Sequence, residues 1–190
     1  MKKKLPEFAN FSDYMMFDAL KEGVLFIAQY IDTDFARDIM SQIGWLDANL
    51  PKGQDVKVII TCDGGEVFAG LAIYDSLVKL KETRAVNIMV AGLAASMAAI
   101  VLQAGTLRIA TPNSRLLIHE VRQFKIGEER PSDMKEEAAE MSKVSKILAD
   151  ILSKSTGRDS EEIERIWNKR DVWMSPEEAL EFGLIDRIEP

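Results

Sequence analysis

The chain has 190 residues, 47% of them hydrophobic and 29% charged, which suits a single domain with a substantial core. Its formal net charge of −7 argues against nucleic acid as a partner, because phosphate binding requires a basic surface. The basic start has no apolar segment behind it, unlike a secretory signal, and the single cysteine, Cys62, excludes an internal disulfide and suits a reducing cytoplasm.

Strand and helix patterns alternate along the chain. Strands are predicted at 24–28, 56–61, 86–90, 107–110 and 116–119. Helices are predicted at 13–20, after a cap at Thr33, from the Gly64–Gly65 turn to about residue 81, and from Ser96. Three more are predicted at 131–155, from Ser160, and from Ser175 to Gly183. This alternation predicts an α/β fold, a single domain over 1–190, with helices around a largely parallel sheet. Periodicity does not set the order of the strands.

The most apolar stretch, residues 86–102, is close to the minimum of roughly 17 residues for a membrane span. It contains Asn87, Gly92 and Ser96, and its alanine-rich middle is only weakly hydrophobic. We therefore interpret it as a buried strand that leads into a buried helix.

The chain contains one histidine, His119, so imidazole acid–base chemistry near neutral pH can involve only this residue. It follows an apolar predicted strand, where side chains often project into a cleft. The plainer alternative is a half-buried histidine bonded to a carbonyl group, and taken alone this alternative is favoured.

Ser96 lies in A-G-L-A-A-S-M-A-A, at a predicted junction of strand and helix. Small residues on both sides allow the tight backbone turn that exposes a nucleophilic serine, and a helix start offers free N–H groups to an oxyanion. A serine that merely caps a buried helix explains the pattern equally well.

Two further features give weaker indications of a catalytic site. Gly64 and Gly65 permit positive φ and a close backbone approach, which suits an N–H donor to an oxyanion, although an ordinary turn is the favoured reading. Asp171 begins the apolar segment Asp-Val-Trp-Met before a capped helix. A carboxylate must orient the imidazole of a triad, and composition alone does not select Asp171 from the many available.

At these residues the sequence resembles ClpP, the proteolytic subunit of Clp proteases, over about residues 11–188. L-A-A-S-M-A-A resembles the family's Q-A-A-S-M-G-A, and T-P-N-S-R-L-L-I-H resembles its P-N-S-R-x-M-I-H. R-D-V-W-M-S-P-E-E-A-L-E-F-G-L-I-D resembles its R-D-x-x-x-S-A-x-E-A-x-x-Y-G-L-I-D. Three motifs in order, each with its chemical residue present, are a specific signal.

The resemblance implies a serine endopeptidase of unfolded polypeptides or peptides, with Ser96 as nucleophile, His119 as base and Asp171 as orienting carboxylate. It implies oxyanion donors at the N–H groups of Gly65 and Met97, and no metal or organic cofactor. The implied fold is the ClpP/crotonase-type α/β spiral. The implied assembly is two stacked heptameric rings around a chamber, joined by a handle at about 120–155 that comprises the long helix and a strand before it.

Some segments depart from the family pattern. Thr61-Cys62-Asp63 replaces the usual Asn-Ser-Pro, and 120–124 replaces Gln-Pro-Leu-Gly-Gly in the substrate groove, so cleavage preference does not transfer. The N-terminal segment, with 1–10 expected to be flexible, is shorter than usual. The short N-terminal segment argues against docking of a Clp-type AAA+ ATPase, which is the partner that the resemblance otherwise implies. The departures leave open a divergent paralogue or a phage-type relative.

Three rival functions remain open. A crotonase-like acyl-CoA enzyme would use the same fold and a backbone oxyanion hole without this triad. A cysteine nucleophile would pair Cys62 with His119. A catalytically inactive ring subunit would serve assembly alone.

The long predicted helix carries an apolar stripe, which is either a core contact or a subunit interface. Its members are Ala138, Met141, Val144, Ile147, Leu148 and Ile151. The resemblance favours the interface, and the charged residues Lys135, Glu136, Glu137, Glu140 and Lys143 are expected on a solvated face.

Overall fold

The computed structural model describes residues 10–122 and 131–190, with side chains from residue 136 onward in the second range. Its helices are α1 (Phe11–Lys21), α2 (Thr33–Asn49), α3 (Val67–Leu80), α4 (Met97–Leu102), α5 (Pro131–Thr156), α6 (Ser160–Trp167) and α7 (Pro176–Phe182). Its strands are β1 (Val24–Ile27), β2 (Val56–Cys62), β3 (Val86–Ala95), β4 (Leu107–Ala110), β5 (Arg115–Ile118), β6 (Val172–Met174) and β7 (Arg187–Ile188).

The described strands form one sheet in the order β1-β2-β3-β4-β7, with all of these neighbours parallel. Strand β5 pairs in parallel with the second half of β3, and β6 pairs antiparallel with β5. The expected α/β fold around a largely parallel sheet is confirmed. The central strands are apolar because helices cover them, and helix α4 is buried at all six of its residues.

Strand β3 is longer than the sequence pattern predicts, because it bends and continues. Gly92 has φ +96°, a conformation that glycine adopts without a steric penalty. The buried Ser114 hydroxyl accepts the Gly92 N–H at 3.1 Å and donates to the Val90 carbonyl at 3.0 Å. Before the bend β3 pairs with β4, and after it Leu93–Ala95 pair with β5. The stretch 86–102 is thus a buried strand followed by a buried helix, as predicted.

The cap of α2 differs from the prediction, whereas the start of α6 at Ser160 is as predicted. Asp32, not Thr33, caps α2, since its Oδ1 accepts the Phe35 N–H at 2.8 Å. Asp159 caps α6, which begins at Ser160. Aspartate is preferred at both positions because its short side chain accepts from the free N–H groups of the first turn. The predicted Ser175 cap of α7 and the left-handed Gly183 at its end are confirmed.

The C-terminal segment is tied to the sheet by strands that the sequence pattern did not predict. Strands β6 and β7 have only three and two residues, too few to show a period. Asp186, whose side chain is 34% exposed, anchors the segment by pairing with Arg108 at 2.5 Å and accepting the Arg108 N–H at 2.7 Å. Burial alone would raise the pKa of Asp186, but the hydrogen bonds and charge of Arg108 outweigh it and lower that pKa.

The apolar stripe of α5 divides between two environments. Val144, Leu148 and Ile151 are buried in the core, whereas Ala138 and Ile147 are exposed. The strand expected before α5 would begin at about residue 120; residues 120–122 are not in a strand, and 123–130 lie outside the described part of the chain. The flexible start expected at 1–10 falls almost wholly on 1–9, which also lie outside it. Among the described residues, no helix has the length and apolar character needed to cross a membrane.

Candidate active site

Ser96 stands at the junction of β3 and α4 in a strained conformation. Its backbone has φ 56° and ψ −125°, which side-chain-bearing residues rarely adopt and which recurs at nucleophilic serines between strand and helix. The Ser96 side chain makes no hydrogen bond to the first turn of α4, so it does not act as a helix cap. Its hydroxyl is therefore available at the surface of a cleft.

Strand pairing brings Ser96 and His119 together. The Ser96 N–H donates to the Leu117 carbonyl at 2.9 Å, which continues the parallel pairing of β3 with β5. His119 follows Leu117 by two residues, directly after the end of β5. Both residues thus leave the carboxyl ends of neighbouring strands. They line one cleft with an apolar floor of Val67, Met97, Ile100, Ile118, Leu148 and Trp167.

The Gly64–Gly65 turn lies against this junction. A Cβ atom on Gly64 would lie 2.7 Å from the Ser96 Cβ and from the Ala95 carbonyl oxygen, so only glycine permits the observed approach. The turn is held by the Ile31 N–H, which donates to the Gly64 carbonyl at 2.8 Å, and by the Glu66 N–H, which donates to the Ile31 carbonyl at 2.7 Å. This leaves the Gly65 N–H outside the pairing.

Two backbone N–H groups remain free beside Ser96. Within the described ranges, neither the Gly65 N–H nor the Met97 N–H has a hydrogen-bond acceptor. Gly65 and Met97 both line the cleft with Ser96. Free N–H groups near a nucleophile can stabilise a developing oxyanion.

His119 is half-buried, and its Nδ1 lies 2.6 Å from the Glu120 carbonyl oxygen. Because a carbonyl oxygen can only accept, Nδ1 carries a hydrogen, and in the neutral ring Nε2 is then the basic nitrogen. This is the tautomer in which histidine can take a proton from a serine. No hydrogen bond joins His119 to Ser96 or to Asp171 among the described residues.

Asp171 is close to His119 in register but has another partner. Strand β6 pairs with β5 through Leu117–Trp173 and Ile118–Val172, and the next residues along the two strands are His119 and Asp171. The Asp171 carboxylate, 39% exposed, forms an ion pair with Arg122, which lines the cleft. Asp171 itself does not line the cleft. The sequence pattern assigns no role to Arg122, which stands out only by its place in the segment that departs from the family pattern.

Comparison with known proteins assigns the family. The family model described as Clp protease matches residues 9–190. The chain is 38% identical over 171 residues to the ATP-dependent Clp protease proteolytic subunit of Deinococcus radiodurans. That alignment covers 89% of this chain and 81% of the relative. The chain belongs to the Clp protease family. It is a serine-type peptidase, and its mixed α/β fold is that of the family, as the sequence resemblance predicted.

Membership of the Clp protease family excludes the crotonase-like rival, and the geometry excludes the cysteine rival. Cys62 is 3% exposed and does not line the cleft. Its thiol donates to the Gln29 carbonyl at 2.9 Å and accepts the Gly64 N–H at 3.3 Å. Burial raises the pKa of the Cys62 thiol and the Asp63 charge adds to this, although the Gly64 hydrogen bond partly offsets them. A nucleophilic cysteine needs the opposite, a lowered pKa and access to substrate.

Cys62 is therefore expected to resist alkylation in the folded protein. Iodoacetamide should modify it at least about tenfold more slowly than after unfolding in guanidinium, because the raised pKa leaves little thiolate and burial blocks the reagent. Mass spectrometry of native and unfolded samples measures both rates. Rapid alkylation of the native protein with parallel loss of peptidase activity would restore the cysteine nucleophile.

Replacing Gly64 by alanine is expected to impair catalysis as well as stability. The new Cβ would displace the Ser96 junction, and a misplacement of about 1 Å can reduce turnover by about 10²-fold. Gly53→Ala is the matched control, since Gly53 also has positive φ, +77°, but its Cβ would meet nothing within 4 Å. Urea unfolding and peptide hydrolysis should show that both variants lose stability and that only Gly64→Ala loses turnover. Wild-type turnover in Gly64→Ala would contradict the interpretation.

Proposed function

We propose that this Clp protease family member is an endopeptidase that cleaves polypeptides through a triad of Ser96, His119 and Asp171. The observation that carries the proposal is the hydrogen bond of the Ser96 N–H to the Leu117 carbonyl, 2.9 Å long. It fixes the candidate nucleophile beside the end of the strand that leads to His119. A free hydroxyl and the chain's single imidazole then open on the same cleft.

The register of β6 supports the role of Asp171. Residues directly opposite each other in antiparallel strands have Cβ atoms roughly 4.5–5.5 Å apart. Extending the β5–β6 pairing by one residue sets Asp171 opposite His119. In the proposed active arrangement, the Asp171 carboxylate accepts the Nδ1 hydrogen of His119 in place of the Glu120 carbonyl.

The proposed reaction begins when His119 Nε2 takes the proton of the Ser96 hydroxyl as Oγ attacks a peptide carbonyl carbon. The N–H groups of Gly65 and Met97 stabilise the tetrahedral oxyanion, and one such donor contributes about 10²–10³ in rate. The imidazolium then protonates the leaving amine as the C–N bond breaks. Water, deprotonated by the same imidazole, attacks the acyl-enzyme carbonyl carbon. As the bond from that carbon to Oγ breaks, the imidazolium returns the proton to Ser96 Oγ and the second product leaves with a free carboxylate.

Exposed apolar side chains support assembly into a homo-oligomer. Among the described residues, the large apolar side chains left exposed are Phe11, Tyr14, Met15, Met16, Tyr30, Met40, Phe68, Ile147, Trp173 and Leu180. Of these, Met40 and Phe68 line one surface groove together, and exposed apolar side chains that lie side by side mark protein interfaces. We assign the assembly as stacked heptameric rings around a chamber, with α5 as the handle between them.

The partner and compartment follow from similarity and composition. The relative from Deinococcus radiodurans is named as ATP-dependent, which supports a Clp-type ATPase as the partner that delivers unfolded substrates. The segment that would meet such a partner lies at the N-terminus, outside the described ranges. One buried, unpaired cysteine suits a cytoplasmic location.

Ser96→Ala is expected to abolish labelling by a fluorophosphonate probe and to reduce peptide hydrolysis by about 10³-fold or more, because the attacking oxygen is removed. Ser41→Ala is the control, since the Ser41 hydroxyl is exposed and bonds only to the Arg37 carbonyl of its own helix. Gel fluorescence and turnover of a fluorogenic peptide measure the two effects. Labelling that persists in Ser96→Ala would remove this residue from the role of nucleophile.

A further inference from the structure

The segment His119–Arg122 makes two contacts that together replace the central bond of the proposed triad. The Glu120 carbonyl oxygen accepts the hydrogen of His119 Nδ1 at 2.6 Å. The Arg122 guanidinium pairs with Oδ1 of Asp171. Each partner of the expected His119–Asp171 hydrogen bond is thus engaged by a residue of the same short segment.

We infer that Arg122 is a positioning residue that acts through Asp171 and holds it in an inhibited arrangement, away from His119. This inference rests on the proposed triad. When the Arg122–Asp171 ion pair breaks, the Asp171 carboxylate is free to bond to the His119 imidazole instead of Arg122. A single displacement of residues 120–122 also removes the Glu120 carbonyl from Nδ1, so both contacts are broken in one movement.

The two arrangements differ in the charge presented to the imidazole. The Glu120 carbonyl keeps the hydrogen on Nδ1, which preserves the reactive tautomer, but it carries no net negative charge. A carboxylate in its place stabilises the imidazolium that forms as Ser96 attacks. The Arg122 cation further reduces the negative charge that Asp171 can offer. The observed arrangement is therefore the less active one.

The ion pair between Arg122 and Asp171, called the latch below, is weak enough to break and re-form. The Arg122 side chain is 59% exposed and that of Asp171 is 39% exposed, so solvent screens the pair. Ion pairs of this kind shift an equilibrium by about two- to fivefold, and salt weakens them further. Such a latch moderates activity without abolishing it.

Arg122→Gln tests the latch, with Arg187→Gln as the matched control. Arg187 pairs with Glu189 at similar exposure, 52% and 37%, and does not line the cleft. Steady-state hydrolysis of a fluorogenic peptide should give Arg122→Gln a kcat about two- to fivefold above wild type in low salt. Arg187→Gln should match wild type, and Arg122→Lys, which keeps the cation, should stay close to it.

Salt dependence separates the latch from a merely structural effect. Raising the ionic strength from about 0.05 to 0.5 M should increase the kcat of wild type toward that of Arg122→Gln, because screening releases Asp171. The kcat of Arg122→Gln should rise less with salt than that of wild type, and the kcat of Arg187→Gln should rise as much as that of wild type. A kcat of Arg122→Gln that falls below wild type, or that equals it at both salt concentrations, overturns the inference.

The imidazole offers a readout that does not depend on turnover. Since His119 is the chain's only histidine, the ring ¹⁵N resonances of a protein prepared without a histidine tag report on it alone. Arg122→Gln should shift the Nδ1 resonance, and Arg187→Gln should leave it unchanged. An unchanged Nδ1 resonance in Arg122→Gln overturns the latch. Peptide hydrolysis that survives in Ser96→Ala, by contrast, defeats the proposed function itself.

Discussion

The arrangement of the cleft depends on one strand that pairs with two different neighbours along its length. Strand β3 pairs first with β4 and then, beyond Gly92, with β5, and the Ser114 hydroxyl fixes the bend between the two halves. Without this bend, Ser96 would leave the sheet above β4, away from the strand that leads to His119. In the proposed mechanism, the peptidase chemistry of this Clp protease family member therefore depends on where β3 changes partner.

The two sides of the cleft are built differently. On the proposed nucleophile side, Ser96, Gly65 and Met97 are fixed by backbone pairing and by the glycine contact at Gly64, so their geometry is set before any substrate arrives. On the proposed base side, His119 bonds to the Glu120 backbone carbonyl and Arg122 pairs with Asp171, and our inference is that these two contacts can exchange. A rigid oxyanion side and an adjustable base side provide a physical basis for changing activity without rebuilding the sheet.

Sequence predicted the parts of this structure that have strong local signals. The long apolar strands and amphipathic helices follow from periodicity, and His119 stands out without any resemblance because it is the chain's only histidine. The second half of β3 was missed because its glycine and alanines lack strand propensity, and β6 was missed because three residues show no period. The choice of Asp171 depended on resemblance alone, since its register against β5 is a tertiary fact. The ion pair with Arg122 had no local signal at all.

The most direct test is a crystal structure of the protein with a peptide boronate, which forms a tetrahedral adduct with a nucleophilic serine. The account predicts a bond from boron to the Ser96 Oγ, with a boronate oxygen within about 3 Å of the Gly65 and Met97 N–H groups. It also predicts that His119 Nδ1 faces Asp171 in that complex and no longer the Glu120 carbonyl. A boronate bound to another residue, or an adduct at Ser96 with His119 outside hydrogen-bonding reach, would contradict the account.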